Sequence, residues 1–163
     1  MNYKIRKMEE SEYALLNDFL YEAIFIPEGI PAPPKSIIDA PELQVYVADF
    51  GKKKDDICFL AEVDGKIVGA VWVREMHDYG HIQDGVPSLA ISLYKEFRGL
   101  GIGTALMKKM LCELEQRGYE KTSLSVQKAN YAAKMYRNVG YEIVGENEEE
   151  YIMVCQLKQK NTV

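Results

Sequence analysis

The sequence has few of the features that mark membrane and secreted proteins. It has no apolar run near the roughly 18 residues of a membrane span, and its first ten residues are charged rather than signal-like. Only three cysteines are present, Cys58, Cys112 and Cys155, and their odd number and wide spacing indicate reduced core residues rather than a disulfide framework or zinc site. We therefore expect a cytoplasmic protein that does not bind membranes.

The chain also has no excess of positive charge, since its 20 lysines and arginines are outnumbered by 25 aspartates and glutamates. The formal net charge is −5 at pH 7, whereas proteins that bind phosphate backbones carry basic surfaces, so we expect no nucleic-acid partner. Hydrophobic residues make up 47% and charged residues 28% of the 163 residues, which is typical of a folded domain and argues against disorder. A chain of this length buries about two thirds of its unfolded surface in one core, so we predict one domain, residues 1–163.

The most informative segment is a glycine-rich turn. It follows a strand-like run at 88–94, precedes a helix-like run at 104–117, and consists of Arg98, Gly99, Leu100, Gly101, Ile102 and Gly103. Glycines at alternate positions let main-chain amides reach a ligand, and the following helix aims its free N–H groups and positive dipole end at the same point. This pattern predicts a diphosphate-binding turn, with Arg98 as a further donor.

Two better-known glycine motifs do not fit these residues. A dinucleotide-binding turn that starts at Gly101 needs glycine or alanine where Leu106 stands, and the acidic residue expected about 20 residues later is missing. A nucleoside-triphosphate loop needs Gly-Lys-Ser or Gly-Lys-Thr, and the chain contains neither. The remaining candidate ligand is a diphosphate bound without magnesium, of which coenzyme A is the obvious example.

The periodicity of apolar residues predicts an α/β (α+β) domain around a mostly antiparallel sheet. Asp64 and Gly65 have the composition of a two-residue hairpin turn, Ser11 is a candidate helix cap, and a second helix is predicted to start at Pro41 and end at Gly51. Four prolines between residues 27 and 34 predict an irregular loop that could cover a site. The remaining elements are predicted as strands at 3–8, 57–63, 66–74, 88–94, 122–127, 141–144 and 151–157, and helices at 104–117 and 130–140.

Two separated motifs resemble those of the GNAT superfamily of acetyl-coenzyme A-dependent N-acetyltransferases. One is the turn from Arg98 to Gly103 with its strand and helix, and the other is the spaced set Asn130, Ala133, Tyr136, Gly140 and Tyr141. The resemblance covers residues 88–144 and implies the GNAT-like acyl-coenzyme A N-acyltransferase fold, with helices flanking a mostly antiparallel sheet. It also implies an enzyme that uses acetyl-coenzyme A as co-substrate, without a metal, to acetylate a primary amine in a ternary complex.

The resemblance assigns roles to individual residues. Main-chain amides from Arg98, Gly99, Leu100, Gly101, Ile102, Gly103 and Thr104 would bind the coenzyme diphosphate. The main chain of Ile91, Ser92 and Leu93 would bind the pantetheine arm. Asn130 would contact the coenzyme, although a plain helix cap also explains it. Tyr136 would be the general acid that protonates the coenzyme thiolate, since a phenol with its ordinary pKa of about 10 is protonated at pH 7; simple packing is the alternative.

The proton acceptor and the amine substrate stay open at this point. Many relatives carry a glutamate on the strand before the turn, but residues 88–94 contain no acid. Relatives that acetylate ribosomal protein termini tend to have Leu-Glu-Val-Arg where residues 124–127 are Leu-Ser-Val-Gln. We therefore favour a small-molecule amine over a protein or peptide amine. Glu75, His77, Asp84 or a water molecule are the candidate bases, and a non-catalytic module that binds acyl-coenzyme A is the alternative function.

Two clusters of polar residues have weaker implications. His77 and His81 have the spacing of a metal pair on a helix, but the glycines on either side predict a loop, and we predict no metal site. The acidic run Glu146, Glu148, Glu149 and Glu150 is typical of a solvated hairpin tip, and near an acceptor entrance it would attract a cationic amine weakly. Homodimers are common among proteins that this chain resembles, and its residues leave the oligomeric state open.

Overall fold

The computed structural model describes residues 2–158. Within this range it has seven strands and four α-helices in the predicted order, joined by short 3-10 helices at Glu10–Leu15, Lys35–Asp39 and Lys95–Phe97. In chain order the elements are β1 (Tyr3–Lys7), α1 (Leu16–Ala23), α2 (Pro41–Gln44), β2 (Ile57–Val63), β3 (Lys66–Arg74), β4 (Ser88–Leu93), α3 (Ile102–Gln116), β5 (Lys121–Gln127), α4 (Ala132–Asn138), β6 (Tyr141–Glu146) and β7 (Glu150–Gln156).

The strands form one mixed sheet in the order β1-β2-β3-β4-β5-β7-β6. Every neighbouring pair is antiparallel except β4 and β5, which run parallel and are bridged in the described chain at a single position, Ser88 opposite Ser123. The predicted hairpin between β2 and β3 is confirmed, with φ of +50° at Asp64 and +80° at Gly65, as its tight turn requires. The sheet is therefore fully paired on either side of β4 and β5, and these two strands separate in its middle.

Helices cover both faces of this sheet. Successive residues of β2 alternate between the two faces, so that Phe59 packs in the cluster containing α3 whereas Leu60 packs in the cluster containing α1. On the α1 side Trp72 is fully buried, and its indole N–H donates to the Tyr46 carbonyl oxygen over 3.0 Å. Because both faces are covered, the sequences of β2 and β3 are nearly continuous apolar runs.

The second helix is shorter than the sequence predicts. The pattern favours a helix from Pro41 to Gly51, but α2 ends at Gln44 and the chain continues in turns. A longer helix would need the carbonyl oxygens of this segment as hydrogen-bond acceptors. The buried guanidinium of Arg74, a residue of β3, donates instead to the carbonyl oxygens of Val45 (3.0 Å) and Ala48 (2.9 Å). Long-range hydrogen bonds thus replace local helical ones.

The first helical segment also begins differently from the prediction. Ser11 lies inside the 3-10 helix and does not cap it. Glu9 occupies the N-cap position, and the Glu12 carboxylate accepts a hydrogen bond from its main-chain N–H over 2.9 Å in a capping box. Among the described residues, the structure has no helix both long and apolar enough to span a bilayer.

Candidate active site

A cleft of about 230 Å³ lies where β4 and β5 diverge. The two strands separate beyond the bridge between Ser88 and Ser123, so the gap is in the middle of the sheet. The residues that line this cleft come from both strands, the end of α1, α4 and neighbouring loops: Leu20, Ala23, Ile24, Phe25, Leu43, Tyr46, Tyr79, Leu89, Ala90, Ile91, Ser125, Val126, Gln127, Asn130, Tyr136 and Glu150. The proline-rich loop at 27–34 contributes no lining residue.

One wall of the cleft is the edge of β4. The Tyr94 N–H donates to the Val68 oxygen over 3.0 Å, toward β3. Because main-chain polar groups alternate along a strand, Ile91 and Leu93 point theirs to the opposite edge, into the gap. Ser92 is oriented differently: its main chain faces β3, and its hydroxyl donates to the Phe19 carbonyl oxygen over 2.6 Å. Ile91 and the N–H of Leu93 are thus placed to pair with an extended ligand that contains amides, whereas the Leu93 carbonyl oxygen already accepts a hydrogen bond from Arg98 Nε.

The glycine-rich turn presents a row of free main-chain donors, which we call the amide turn (residues 99–104). Gly99 and Gly101 have φ of +75° and +89°, in the left-handed region that favours glycine. Across the described chain, none of the six N–H groups from Gly99 to Thr104 has an acceptor, and Ala105 is the first to bond back, to the Gly101 oxygen at 3.2 Å. Together with the N-terminus of α3, this arrangement suits an anionic ligand.

The side chains around the amide turn leave it accessible. Leu100 is 52% exposed, and Ile102 is buried in the core. The Arg98 side chain bends away from the turn: its Nε donates to the Leu93 oxygen over 2.9 Å, and Nη2 lies 3.3 Å from a Glu22 carboxylate oxygen. Arg98 therefore fastens the end of α1 to the end of β4, while the main-chain amides carry the anion-binding geometry.

Tyr136 and Asn130 both line the cleft at its α4 side. Tyr136 is 8% exposed, and burial raises the pKa of its hydroxyl to about 12, so the group remains protonated at neutral pH. No described group hydrogen-bonds this hydroxyl. Tyr131, not Asn130, occupies the N-cap position of α4. The Asn130 side-chain oxygen accepts the Ala132 N–H over 2.9 Å from one residue earlier, and its side-chain NH₂ group is not used in that bond.

Glu150 is the one ionisable carboxylate among the residues that line the cleft. It is the first residue of β7 and lies opposite Gln127 of β5, which brings it from the predicted hairpin tip into the cleft wall. The other acids of that run are different: Glu146 pairs with Lys128 over 2.8 Å, and Glu148 and Glu149 are exposed. No lysine or arginine lines the cleft, and none in the described chain forms an ion pair with Glu150.

A second carboxylate lies close to the cleft. Asp78 accepts a hydrogen bond from the Ser88 hydroxyl over 2.7 Å. Burial raises the pKa of Tyr46 above its ordinary value, and the nearby charges of Asp78 and, more weakly, Glu150 act in the same direction. Tyr46, which lines the cleft, therefore lies near two carboxylates.

The three bases that the sequence suggested do not line the cleft. A Glu75 carboxylate oxygen accepts the Gly85 N–H over 2.8 Å. His77 and Asp84 are about four-fifths exposed, and Asp84 borders a separate depression with residues 118–121. Glu150 was missed because an acidic run predicts a solvated tip and because the strand was predicted to begin one residue later, at Tyr151.

Comparisons with known proteins agree with this geometry. Residues 20–141 match the model of the acetyltransferase (GNAT) family. A curated relative, an N-alpha-acetyltransferase from Sulfurisphaera tokodaii, is 29% identical over 122 residues, which cover 65% of this chain and 72% of the relative. Two further curated relatives are matched over only 40% and 29% of their own lengths.

Solved structures share the whole architecture at low sequence identity. The PaiA N-acetyltransferase from Thermoplasma acidophilum, solved in complex with coenzyme A, has a TM-score of 0.70 at 17% identity and covers 96% of this chain and 99% of its own. The YncA protein from Salmonella typhimurium, solved with acetyl-coenzyme A, has a TM-score of 0.66 at 14% identity over 100% of this chain and 98% of its own. The family match over most of the chain decides the assignment: the protein belongs to the acetyltransferase (GNAT) family and is an N-acetyltransferase.

Proposed function

We propose that this enzyme transfers the acetyl group of acetyl-coenzyme A to the primary amine of a small cationic molecule, by direct attack in a ternary complex. The observation that carries the proposal is the cleft between β4 and β5, where free main-chain groups, Tyr136 and Glu150 meet. The Salmonella protein of the same fold was solved with acetyl-coenzyme A, which supports the choice of co-substrate.

The coenzyme extends along main-chain groups that, apart from the Leu93 carbonyl oxygen, have no other partner among the described residues. Its diphosphate binds the amides of the amide turn at the N-terminus of α3. Its pantetheine arm, which contains two amides, pairs with Ile91 and Leu93 as an added strand would. Asn130 contributes its side-chain NH₂ group from the opposite wall. This path leads the thioester into the cleft toward Tyr136.

The chemistry requires one group that accepts a proton and one that donates a proton. An alkyl ammonium with a pKa near 10.4 costs about 4.6 kcal/mol to deprotonate at pH 7, and Glu150 accepts that proton directly or through one water. The neutral amine then attacks the thioester carbonyl carbon and a C–N bond forms. As the C–S bond breaks, the Tyr136 hydroxyl protonates the departing thiolate, and the second ammonium proton, relayed through water, restores Tyr136.

The lining of the cleft limits the acceptor. Most of its lining residues are apolar or aromatic, the exposed lining surface is polar and apolar in similar measure, and Glu150 is the one charged residue among the described residues that line it. A small amine with one ammonium on a partly apolar body therefore fits best. A peptide α-amine is the second candidate, because a relative matched over 72% of its length is named N-alpha-acetyltransferase. A peptide acceptor differs from a small amine in having amide groups next to its α-amine.

A coenzyme-release assay over a panel of acceptors tests the proposal. The panel holds polyamines, amino acids, aminoglycosides and peptides with free N-termini, and each acceptor is compared with the rate of acetyl-coenzyme A hydrolysis alone. We expect thiol release with at least one small amine, and mass spectrometry of that amine should show one added acetyl group. Coenzyme binding in calorimetry without release for any amine would favour the non-catalytic module instead, and release with peptides alone would favour the second candidate.

A further inference from the structure

The two histidines of the chain lie next to each other in the loop between β3 and β4 (residues 75–87, here the histidine loop). The centroids of the His77 and His81 rings are 4.2 Å apart, and the rings are tilted by 30°. Each Nε2 atom is 3.6 Å from the same carboxylate oxygen of Asp84. One donor atom from each of the three residues therefore lies within 4.8 Å of the other two.

The hydrogen-bonding capacity of His81 is not used by the described residues. Its side chain is 20% exposed, and its Nδ1 atom is buried without a hydrogen-bond partner. Its Nε2 atom is too far from Asp84 for a hydrogen bond, which needs about 3.2 Å or less. The buried Nδ1 atom calls for an ordered water, whereas Nε2, the atom that faces Asp84, has no hydrogen bond among the described residues and is available to an ion.

The histidine loop is held in place from several sides. The Gly85 N–H donates to Glu75 over 2.8 Å, and the Ser123 hydroxyl donates to the Gly80 oxygen over 2.7 Å. A Cβ atom on Gly80 would lie 2.9 Å from the main chain of Leu124, so the loop lies directly against β5. The three donors are thus gathered before any ligand arrives, which lowers the entropic cost of binding.

Although the sequence alone led us to predict no metal site here, we propose that His77, His81 and Asp84 bind a divalent transition metal of the zinc class, with solvent in the remaining coordination positions. Two imidazole nitrogens and one carboxylate oxygen suit zinc rather than magnesium or calcium, which prefer oxygen donors. In a tetrahedral zinc site with bonds of about 2.1 Å, neighbouring donors lie ~3.4 Å apart, close to the 3.6 Å seen here. Small side-chain rotations bring all three donors to bonding distance.

The position of the site connects it to the cleft. Tyr79 lies between the two histidines in sequence and lines the cleft, so a metal that joins residues 77, 81 and 84 also fixes this part of the cleft wall. That consequence depends on the proposed function, whereas metal binding does not. Metal binding is therefore measured without coenzyme or amine.

Calorimetric titration of Zn²⁺ into untagged, chelator-treated protein tests the site. The background carries Cys112→Ser, because Cys112 is the exposed cysteine among the described residues and its thiol would compete. We expect one equivalent of Zn²⁺ to bind, and ~10-fold or greater weakening in His77→Ala and in His81→Ala. His77 is 79% exposed, so its variant should fold even if the His81 variant does not.

A matched control and an independent signal complete the test. Asp49→Asn removes a carboxylate that is 77% exposed, comparable to 81% for Asp84, and should leave Zn²⁺ affinity unchanged, whereas Asp84→Asn should weaken it. In the NMR spectrum of protein labelled with ¹⁵N-histidine, the imidazole signals come from His77 and His81 only, and both sets of signals should shift when one equivalent of Zn²⁺ is added. No saturable binding, unchanged affinity in the His77 variant, or a response from one histidine alone would overturn the proposal.

Discussion

Replacing Glu150 by glutamine tests the proposed proton acceptor most directly. Glutamine keeps the shape of the side chain and removes the one ionisable carboxylate from the lining of the cleft. With no lysine or arginine among the lining residues, and with Asp78 hydrogen-bonded to Ser88 outside that lining, the change removes the carboxylate of the cleft wall that would serve an ammonium acceptor as countercharge and as base. We expect the Glu150→Gln enzyme to use only the small fraction of acceptor that is already neutral in solution.

The expected loss has a lower and an upper bound. An amine with a pKa of 10.4 is neutral in only about one molecule in 2,500 at pH 7, and general-base catalysis typically contributes at least ~10²-fold. The value of kcat/KM should therefore fall by ~10²-fold to ~2,500-fold at pH 7. Because the neutral fraction rises tenfold per pH unit, the activity of the variant should rise about 100-fold between pH 7 and pH 9, whereas wild-type activity changes little.

The assay is coenzyme release at several pH values with the best amine of the acceptor panel. Glu149→Gln is the matched control, because it removes the same charge from an exposed neighbour outside the cleft and should retain wild-type kinetics. An unchanged kcat/KM in Glu150→Gln would refute the role of this carboxylate. A deficit that is the same at every pH would assign Glu150 to acceptor binding and not to proton transfer.

Three further results are expected. Tyr136→Phe should lower kcat by ~10²-fold with little change in coenzyme affinity, and an unaltered kcat would remove its hydroxyl from the mechanism. Gly101→Ala and Gly118→Ala place a side chain at φ of +89° and +86° at opposite ends of α3, so in urea titrations each should cost about 1 kcal/mol or more of unfolding free energy. Calorimetry should show weaker coenzyme binding for Gly101→Ala alone, and similar weakening in both would contradict the amide turn as the site. The hydrogen bond from Arg6 lowers the pKa of Glu12 to about 2 from its ordinary 4.5. The ionised Glu12 therefore stabilises the folded state fully above pH 4.5, and this stabilisation is lost as the pH falls toward 2. Urea titrations at pH 5 and pH 3 should show a smaller acid loss for Glu12→Gln than for wild type, and equal losses would disprove this linkage.

Much of the local structure was predictable because its causes are local. The turn at Asp64 and Gly65 needs two residues that tolerate positive φ, and this pair is typical of such turns. The helix predicted at 104–117 lies at Ile102–Gln116, since its apolar spacing and glycine neighbours mark both ends. The predicted Pro41 helix was too long because Arg74, 33 residues after it in the chain, takes main-chain acceptors of that segment.

The candidate site was predictable to the extent that it consists of short motifs. The amide turn has its free N–H groups where the glycine spacing indicates them, whereas the role of Tyr136 remains a prediction that its place in the cleft supports. No local pattern could identify Glu150, because its direction depends on pairing with β5. The bases suggested from the sequence, Glu75 among them, lie in the histidine loop, of which Tyr79 alone is among the lining residues of the cleft.

The sequence by itself determined the strands, the tight hairpin, the glycine-rich turn and the family resemblance, because each depends on neighbours a few residues away. Tertiary structure decided which of these elements meet. By inserting β7 between β5 and β6, the sheet brings Glu150 beside Gln127, and by separating β4 from β5 it opens the cleft. Main-chain hydrogen bonds between distant strands set both arrangements, and such bonds carry no information about side-chain identity.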